Sequence, residues 1–141
     1  MAVCALCASA EDMKHMSFEG IGICGDYAAV VDSLNQKMGW KVIEDGYLEG
    51  EYYGEPCSVL VTYSAKTKQA SSIYIKMDMT GKAGKAIVAD LVSENGTFDM
   101  GTVFRSSVLR WSMYNGSISI RDDSILIIDS YGMQLYKDED E

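Results

Sequence analysis

The chain has 141 residues, of which 48% are hydrophobic and 23% charged, enough for one folded domain. Its 21 Asp and Glu residues outweigh 12 Lys and Arg residues, and the resulting net charge of −9 would repel nucleic-acid phosphates. A single histidine, His15, leaves little material for a His-based metal site or a catalytic triad. We therefore expect neither nucleic-acid binding nor a metal or other cofactor.

Residues 1–10 form an uncharged apolar run that ends in the small-residue triplet Ala8-Ser9-Ala10, and acidic residues follow at once. This pattern is typical of the second half of a secretory signal peptide that is cleaved after Ala10. We predict an exported protein, periplasmic or extracellular, whose translation begins upstream of Met1. The alternative is the disordered or packed apolar N-terminus of a cytosolic protein.

The predicted mature domain spans residues 11–136, and residues 137–141 form an acidic tail expected to be solvated. Since no apolar run reaches the roughly 18 residues that a spanning helix needs, we predict no membrane span. His15 follows the predicted cleavage site closely, so we expect a flexible surface residue there.

Cleavage after Ala10 would remove two of the four cysteines and leave Cys24 and Cys57. An even pair in an oxidising compartment is a candidate disulfide. The alternative is two unpaired thiols with at least one in the core, since unpaired cysteine is among the most buried residue types.

In the first half, residues 16–23 read as a strand and residues 27–38 as a helix with apolar residues at helical spacing. Asp26 is suited to cap the start of this helix, and Gly39 its end. The hydrophobic period then changes from helical spacing to two. Strands are predicted at 40–45, 47–53, 58–63 and 72–78.

The second half begins with a predicted helix at residues 80–95, which Asn95 and Gly96 end. Between alternating runs, the pair Asn115-Gly116 predicts a two-residue hairpin turn. Strands are predicted at 97–105, 108–114, 117–121 and 124–130, with a last piece near 133–136.

We summarise the element order as β-α-β-β-β-α-β-β-β. Helices separated by runs of hairpin strands indicate an α+β fold in which two helices cover one face of an antiparallel sheet. The halves are alike in element order but not in residues, which is compatible with a duplicated architecture.

Two glycine-rich segments partly match nucleotide-binding motifs. Residues 20–25 match G-x-G-x-x-G, with acidic residues about 20 positions on. Asp26, however, would place negative charge where the pyrophosphate binds, and the later hairpins do not fit the βαβ units of that fold. Residues 81–86 lack the spacing and the Ser or Thr of a phosphate loop, so Lys82 and Lys85 are expected on the exposed first turn of a helix.

The acidic residues do not follow the pattern of a calcium-binding loop either. Asp78 and the pair Asp122-Asp123 stand outside the EF-hand pattern, and we interpret them as turn residues.

Tyrosine is the residue type that stands out, with nine copies. If Ile73, Ile75 and Met77 face the core, Tyr74 faces outward, and the same alternation places Tyr47 and Tyr53 on one face of their strand. Aromatic residues on an open strand face are typical of interfaces, and Tyr47, Tyr53 and Tyr74 are our candidate interface residues. The alternative for each of them is ordinary packing within the sheet.

Several short motifs carry a resemblance. Residues 18–23, which precede the first helix, are similar to F-K-G-I-P-I-D-G. Residues 48–54, with Cys57 nearby, are similar to L-x-G-x-F-A-G, and residues 116–120 are similar to G-S-I-x-L. The chain thus resembles a group of small exported proteins of unknown function from anaerobic gut bacteria. It departs from them with Gly22 in place of Pro and Cys24 in place of Asp, and the second departure removes support for the disulfide.

The element order is also similar to that of β-lactamase-inhibitor-type α+β folds, which are mostly binding modules. The sequence also shows no nucleophile–base or metal constellation, and its candidate strands carry outward tyrosines. We therefore expect an exported, non-catalytic binding or inhibitor-like module with a protein or peptide partner. A structural or accessory subunit of a cell-envelope assembly is the alternative. An enzyme acting through the carboxylates of Glu49 and Glu51, which share one strand face, is a third hypothesis.

Overall fold

A computed structural model describes residues 15–23, 25–103 and 106–135 of the chain. Within these residues, three helices and ten strands form an α+β fold. The helices are α1 (Tyr27–Met38), α2 (Lys82–Asn95) and α3 (Ser130–Leu135). The strands are β1 (Ser17–Phe18), β2 (Ile21–Gly22), β3 (Lys41–Glu44), β4 (Tyr47–Tyr52), β5 (Glu55–Tyr63), β6 (Ala70–Lys76), β7 (Asp99–Val103), β8 (Ser106–Met113), β9 (Gly116–Arg121) and β10 (Ser124–Ile128).

Eight of these strands form one antiparallel sheet, in the order β3-β4-β5-β6-β10-β9-β8-β7. Each half of the chain therefore consists of a helix followed by a four-stranded meander, and the last strands of the two meanders, β6 and β10, pair at the centre. The α+β class is confirmed. The summary order β-α-β-β-β-α-β-β-β is corrected, because four strands and not three follow each main helix. The strands predicted one by one after the first helix already numbered four.

The segment predicted as a single strand at residues 16–23 is a tight hairpin of β1 and β2, in which Phe18 pairs with Ile21. The turn residues Glu19 and Gly20 both have positive φ, 52° and 80°. This conformation suits the twist of a two-residue hairpin, so the chain reverses where an unbroken strand was expected.

Helix α1 has the predicted limits and caps. The Asp26 side chain accepts a hydrogen bond from the Ala28 N–H at 2.8 Å, and Gly39 ends the helix in the left-handed conformation. Helix α2 begins at Lys82, two residues later than predicted, and its Lys82 and Lys85 are exposed as expected.

The segment after β10 differs from its prediction. A strand was expected near residues 133–136, whereas residues 130–135 form the helix α3. Its first hydrogen bond runs from the Met133 N–H to the Asp129 carbonyl. A segment this short carries too few apolar residues for their spacing to distinguish a helical turn from a strand.

The core lies on one face of the sheet, which we call the inner face. A row of fully or nearly fully buried side chains crosses five strands in register: Leu48, Val59, Ile75, Ile125 and Ile120. Apolar residues of both α1 and α2, among them Leu34 and Ile87, belong to the same core. The predicted inward set Ile73, Ile75 and Met77 is confirmed.

Candidate functional site

The face of the sheet opposite the core, which we call the outer face, carries a continuous row of side chains across seven strands. Pairing registers place these residues directly opposite one another from strand to strand. In order from β4 to β7, the row is Tyr47, Leu60, Tyr74, Leu126, Ser119, Arg110 and Asp99. Since side chains alternate between faces along a strand, the whole row lies on one surface.

Tyr47 and Tyr74, two of the candidate interface residues, belong to this row, and Leu60 lies between them. Leu60 is 42% exposed and Tyr74 is half-buried, so both side chains contribute to the outer surface. The Tyr47 hydroxyl donates to the Glu49 carboxylate at 2.9 Å. The structure therefore brings these two tyrosines together on one apolar surface.

Tyr53, the third candidate, lies elsewhere. It occupies the turn between β4 and β5 with a positive φ of 55°, and its hydroxyl donates to the Asp90 carboxylate of α2. This hydrogen bond is the main cause that raises the pKa of Tyr53 to about 12. Strand alternation does not continue into a turn, so Tyr53 leaves the face that Tyr47 shares with Glu49.

A groove of about 720 Å³ lies on the outer face over the second half of the sheet. Apolar and aromatic side chains line part of it, and hydroxyl groups and two arginines line the rest. These residues include Tyr74, Leu126, Ile128, Ser112, Ser117, Ser119, Ser124, Arg110 and Arg121. Sequence reasoning missed the arginines, because neither of them belongs to a recognisable local motif.

A second cavity, of about 620 Å³, lies on the inner side between the β1–β2 hairpin and α2. Its apolar lining includes Ile118, Ile125 and Ile127, and its polar lining includes Glu19 and Asp90. Because inner-face isoleucines line it, this cavity marks a part of the core that the hairpin and α2 do not fully cover.

Tyr52 closes one side of this inner cavity. It is 8% exposed, and its hydroxyl donates to the Glu19 carboxylate at 2.5 Å. Burial is the main cause that raises the pKa of Tyr52 far above its ordinary value, and the hydrogen bond to Glu19 acts in the same direction. Neutral Tyr52 thus ties the N-terminal hairpin to β4.

His15 is not the flexible surface residue that the sequence suggests. Its Nδ1 lies 2.5 Å from Oδ2 of Asp129, and Oδ1 of the same carboxylate accepts from the Met16 N–H at 3.0 Å. Asp129 is completely buried, and this burial raises its pKa although the bonds from His15 and Met16 act in the opposite direction. The Tyr131 ring packs edge-on against the imidazole at 4.9 Å.

The cluster of His15, Asp129 and Tyr131 joins the start of the described chain to the end of β10. The Asp129 carboxylate bonds to the His15 ring and to the Met16 N–H, which is the arrangement of a structural anchor. Sequence reasoning missed this cluster because His15 and Asp129 are 114 positions apart.

Glu49 and Glu51, the residues of the enzyme hypothesis, are both exposed on the outer face of β4. Among residues 15–23, 25–103 and 106–135, no group of His, Cys, Asp and Glu is placed to hold a metal ion. Asp122 and Asp123 form the turn between β9 and β10, so their interpretation as turn residues is confirmed.

The G-x-G-x-x-G segment, residues 20–25, includes the second half of the β1–β2 hairpin and ends two residues before α1. Gly20 lies in the hairpin turn, and the Asp26 carboxylate occupies the helix N-terminus where a phosphate would bind. All strand pairings described are antiparallel, whereas a dinucleotide fold needs parallel strands.

Cys57 is buried on the inner face of β5, and burial raises the pKa of its thiol to about 11. Cys24 lies outside the described residues, as do the predicted signal segment 1–10 and tail 137–141. The pairing of Cys24 with Cys57 stays a prediction.

Comparison with family models, curated proteins and solved structures finds no match to this chain. The resemblance to exported proteins of gut bacteria and to β-lactamase-inhibitor-type folds therefore stays a prediction. In the part of the chain that the structure describes, no helix is long and apolar enough to cross a membrane.

Proposed function

We propose that this protein is an exported, non-catalytic binding module, inhibitor-like in mode of action, that holds a protein or peptide partner against its outer sheet face. The observation that carries the proposal is the in-register row from Tyr47 to Arg110. It combines exposed aliphatic and aromatic area with polar groups on one surface.

The composition of the row supports a protein partner. Tyrosine supplies a large contact area at a low cost in side-chain entropy, and arginine is enriched in interface cores. In the proposed architecture α1 and α2 cover the inner face, so the outer face is the broad surface left for a partner. A rigid antiparallel sheet also holds its side chains in place before binding, which lowers the entropy lost on association.

Export is the second part of the proposal. Cleavage after Ala10 would remove none of the described residues, since the described fold begins at His15. The mass of the protein purified from its producing cells tests this part. A chain that begins at Glu11 supports export, and a chain that keeps residues 1–10 contradicts it.

Site-specific photo-crosslinking in the producing cells tests the binding surface. A photoreactive phenylalanine analogue replaces Tyr74 in one variant and Leu60 in a second, while the matched control carries it at Tyr114, which is 88% exposed in the β8–β9 turn. We expect the same defined adduct from positions 74 and 60 and not from 114. Equal adducts from all three positions, or none from 74 and 60, would contradict the proposed surface.

A permanent subunit of a cell-envelope assembly is the second candidate. Val42 and Ile43 on the edge strand β3 are 42% and 44% exposed, which favours a partner that covers this edge. Native mass of the gently purified protein separates the two candidates. A stable stoichiometric complex supports the subunit, and a monomer supports the transient binder.

A further inference from the structure

We infer that the outer-face groove binds an extended acidic peptide segment, and that Arg110 and Arg121 each bind one of two carboxylates spaced two residues apart. The inference rests on the proposed function, because it specifies the chemistry of the partner at the proposed surface.

The positions of the two arginines carry the inference. Arg110 on β8 lies opposite Ser119 on β9, and Arg121 follows Ser119 by two residues on the same face. Such diagonal neighbours on antiparallel strands have Cα atoms about 7–8 Å apart. Alternate side chains of an extended peptide repeat at about 6.6 Å, so carboxylates at positions i and i+2 match this spacing.

Both guanidinium groups are available to a ligand. Within the described part of the chain, neither Arg110 nor Arg121 forms an ion pair, although Asp99 lies opposite Arg110 and Asp123 also lines the groove. Nε of Arg110 donates to Oγ of Ser119 at 3.2 Å, which holds this side chain on the β9 side, away from Asp99 on β7. The terminal guanidinium nitrogens can therefore bind a carboxylate in the fork geometry that arginine favours.

The surroundings of the arginines fit a peptide better than a simple anion. The hydroxyl groups of Ser112 and Ser117 can bond to polar groups of the ligand, and Tyr74 and Leu126 offer apolar contact beside them. Lys76 lies on the same face, opposite Ser124, and adds a third positive charge. A long polyanion would meet repulsion from the net charge of −9, whereas a short segment with two carboxylates meets two arginines in a groove lined by one carboxylate, that of Asp123.

Binding of two short synthetic peptides, followed by NMR, tests the inference. The probe is acetyl-Ser-Glu-Thr-Glu-Ser-amide, and the control peptide carries Gln in place of both Glu residues. We expect shift changes from the Glu peptide that concentrate on β8, β9 and β10 and decrease at high salt, and at least tenfold weaker binding of the Gln peptide. Shift changes elsewhere, or equal binding of the two peptides, would overturn the inference without any variant.

Matched variants provide the second arm. Arg110→Gln with Arg121→Gln removes two charges from the groove, and Lys82→Gln with Lys85→Gln removes two from the exposed start of α2. We expect the arginine variant to bind the Glu peptide at least tenfold more weakly, and the lysine variant to stay within about twofold of the parent protein. Equal losses in the two variants would show a general charge effect and overturn the inference.

The crosslinking experiment separates failure of this inference from failure of the proposed function. If the adduct at position 74 persists in the Arg110→Gln, Arg121→Gln background, the outer face binds its partner without the acidic recognition, and only the inference fails. If the Glu peptide binds the groove but no adduct forms at positions 60 and 74, the inferred chemistry stands and the proposed surface for the cellular partner fails.

Discussion

The completely buried Asp129 carboxylate is held by two donors from the N-terminal side of the fold, His15 and the Met16 N–H. A buried acceptor with this many partners contributes mainly because its removal leaves the donors unsatisfied. The cluster therefore helps to hold the chain around residue 15 against the sheet, together with the buried side chain of Met16.

Replacement of Asp129 by Ala should lower the free energy of unfolding by about 1–3 kcal/mol, because His15 and the Met16 N–H lose their acceptor while still buried. Urea unfolding followed by circular dichroism measures the change. Asp122→Ala, at an exposed turn position, is the control and should stay within about 0.5 kcal/mol of the parent protein. Equal small effects from both variants would show that the cluster does not stabilise the fold.

Tyr52 predicts a dependence of stability on alkaline pH. Its pKa is raised in the folded state, chiefly by burial. The stability that neutral Tyr52 contributes is therefore fully present below the unfolded pKa of 10.0 and is lost as pH rises above it. The group alone should lower the free energy of unfolding by about 1 kcal/mol between pH 10 and pH 11.

Urea titrations at pH 8, 10 and 11 measure this effect. Tyr52→Phe should be less stable than the parent at pH 8, because it loses the bond to Glu19, but it should decline less steeply above pH 10. Tyr114→Phe, at the exposed turn, should keep the slope of the parent protein. An unchanged slope in Tyr52→Phe would contradict the assignment.

The β8–β9 hairpin was predicted correctly as an element, but its turn was placed one residue too late. The pair Asn115-Gly116 predicts the turn residues, but Met113 pairs with Gly116, so the turn residues are Tyr114 and Asn115. Gly116 is needed for packing, since a Cβ there would lie 2.1 Å from the Ile128 carbonyl oxygen and 2.5 Å from Cγ of Met16.

Gly116→Ala should therefore destabilise the protein by about 1–3 kcal/mol through overpacking. Gly101→Ala in β7 is the matched control, because a Cβ at that strand position meets nothing within 4 Å. Thermal unfolding of the two variants measures the difference. A Gly116→Ala protein as stable as Gly101→Ala would contradict the close approach of β9 to Ile128 and Met16.

How much the sequence predicted depends on how local each signal is. The caps of α1 and the alternation in β6 act over a few neighbouring residues, so both were predicted correctly. The row from Tyr47 to Arg110 depends on strand register, and the bond from His15 to Asp129 depends on contact between the two ends of the described chain. No short sequence window contains that register, and Tyr53 was misplaced because its strand ends one residue earlier than the prediction.

For the whole molecule, the sheet order predicts a gradient of stability from the centre to the edges. Amides of β6 and β10 pair on both sides, whereas β3 and β7 are edge strands. We expect native-state hydrogen exchange to be slowest in β6 and β10 and fastest in β3 and β7. Comparable protection of the edge and central strands in a monomer would contradict the described order.

The central pairing of β6 with β10 also determines when the fold can be completed during synthesis. Ile75 pairs with Ile125, fifty positions later in the chain, and until that strand emerges β6 is an edge strand that carries buried-type isoleucines. The edge of β6, the last strand of the first meander, therefore stays unpaired until nearly all of the described chain has been synthesised. A nascent chain of this topology needs protection from aggregation until its final strand arrives.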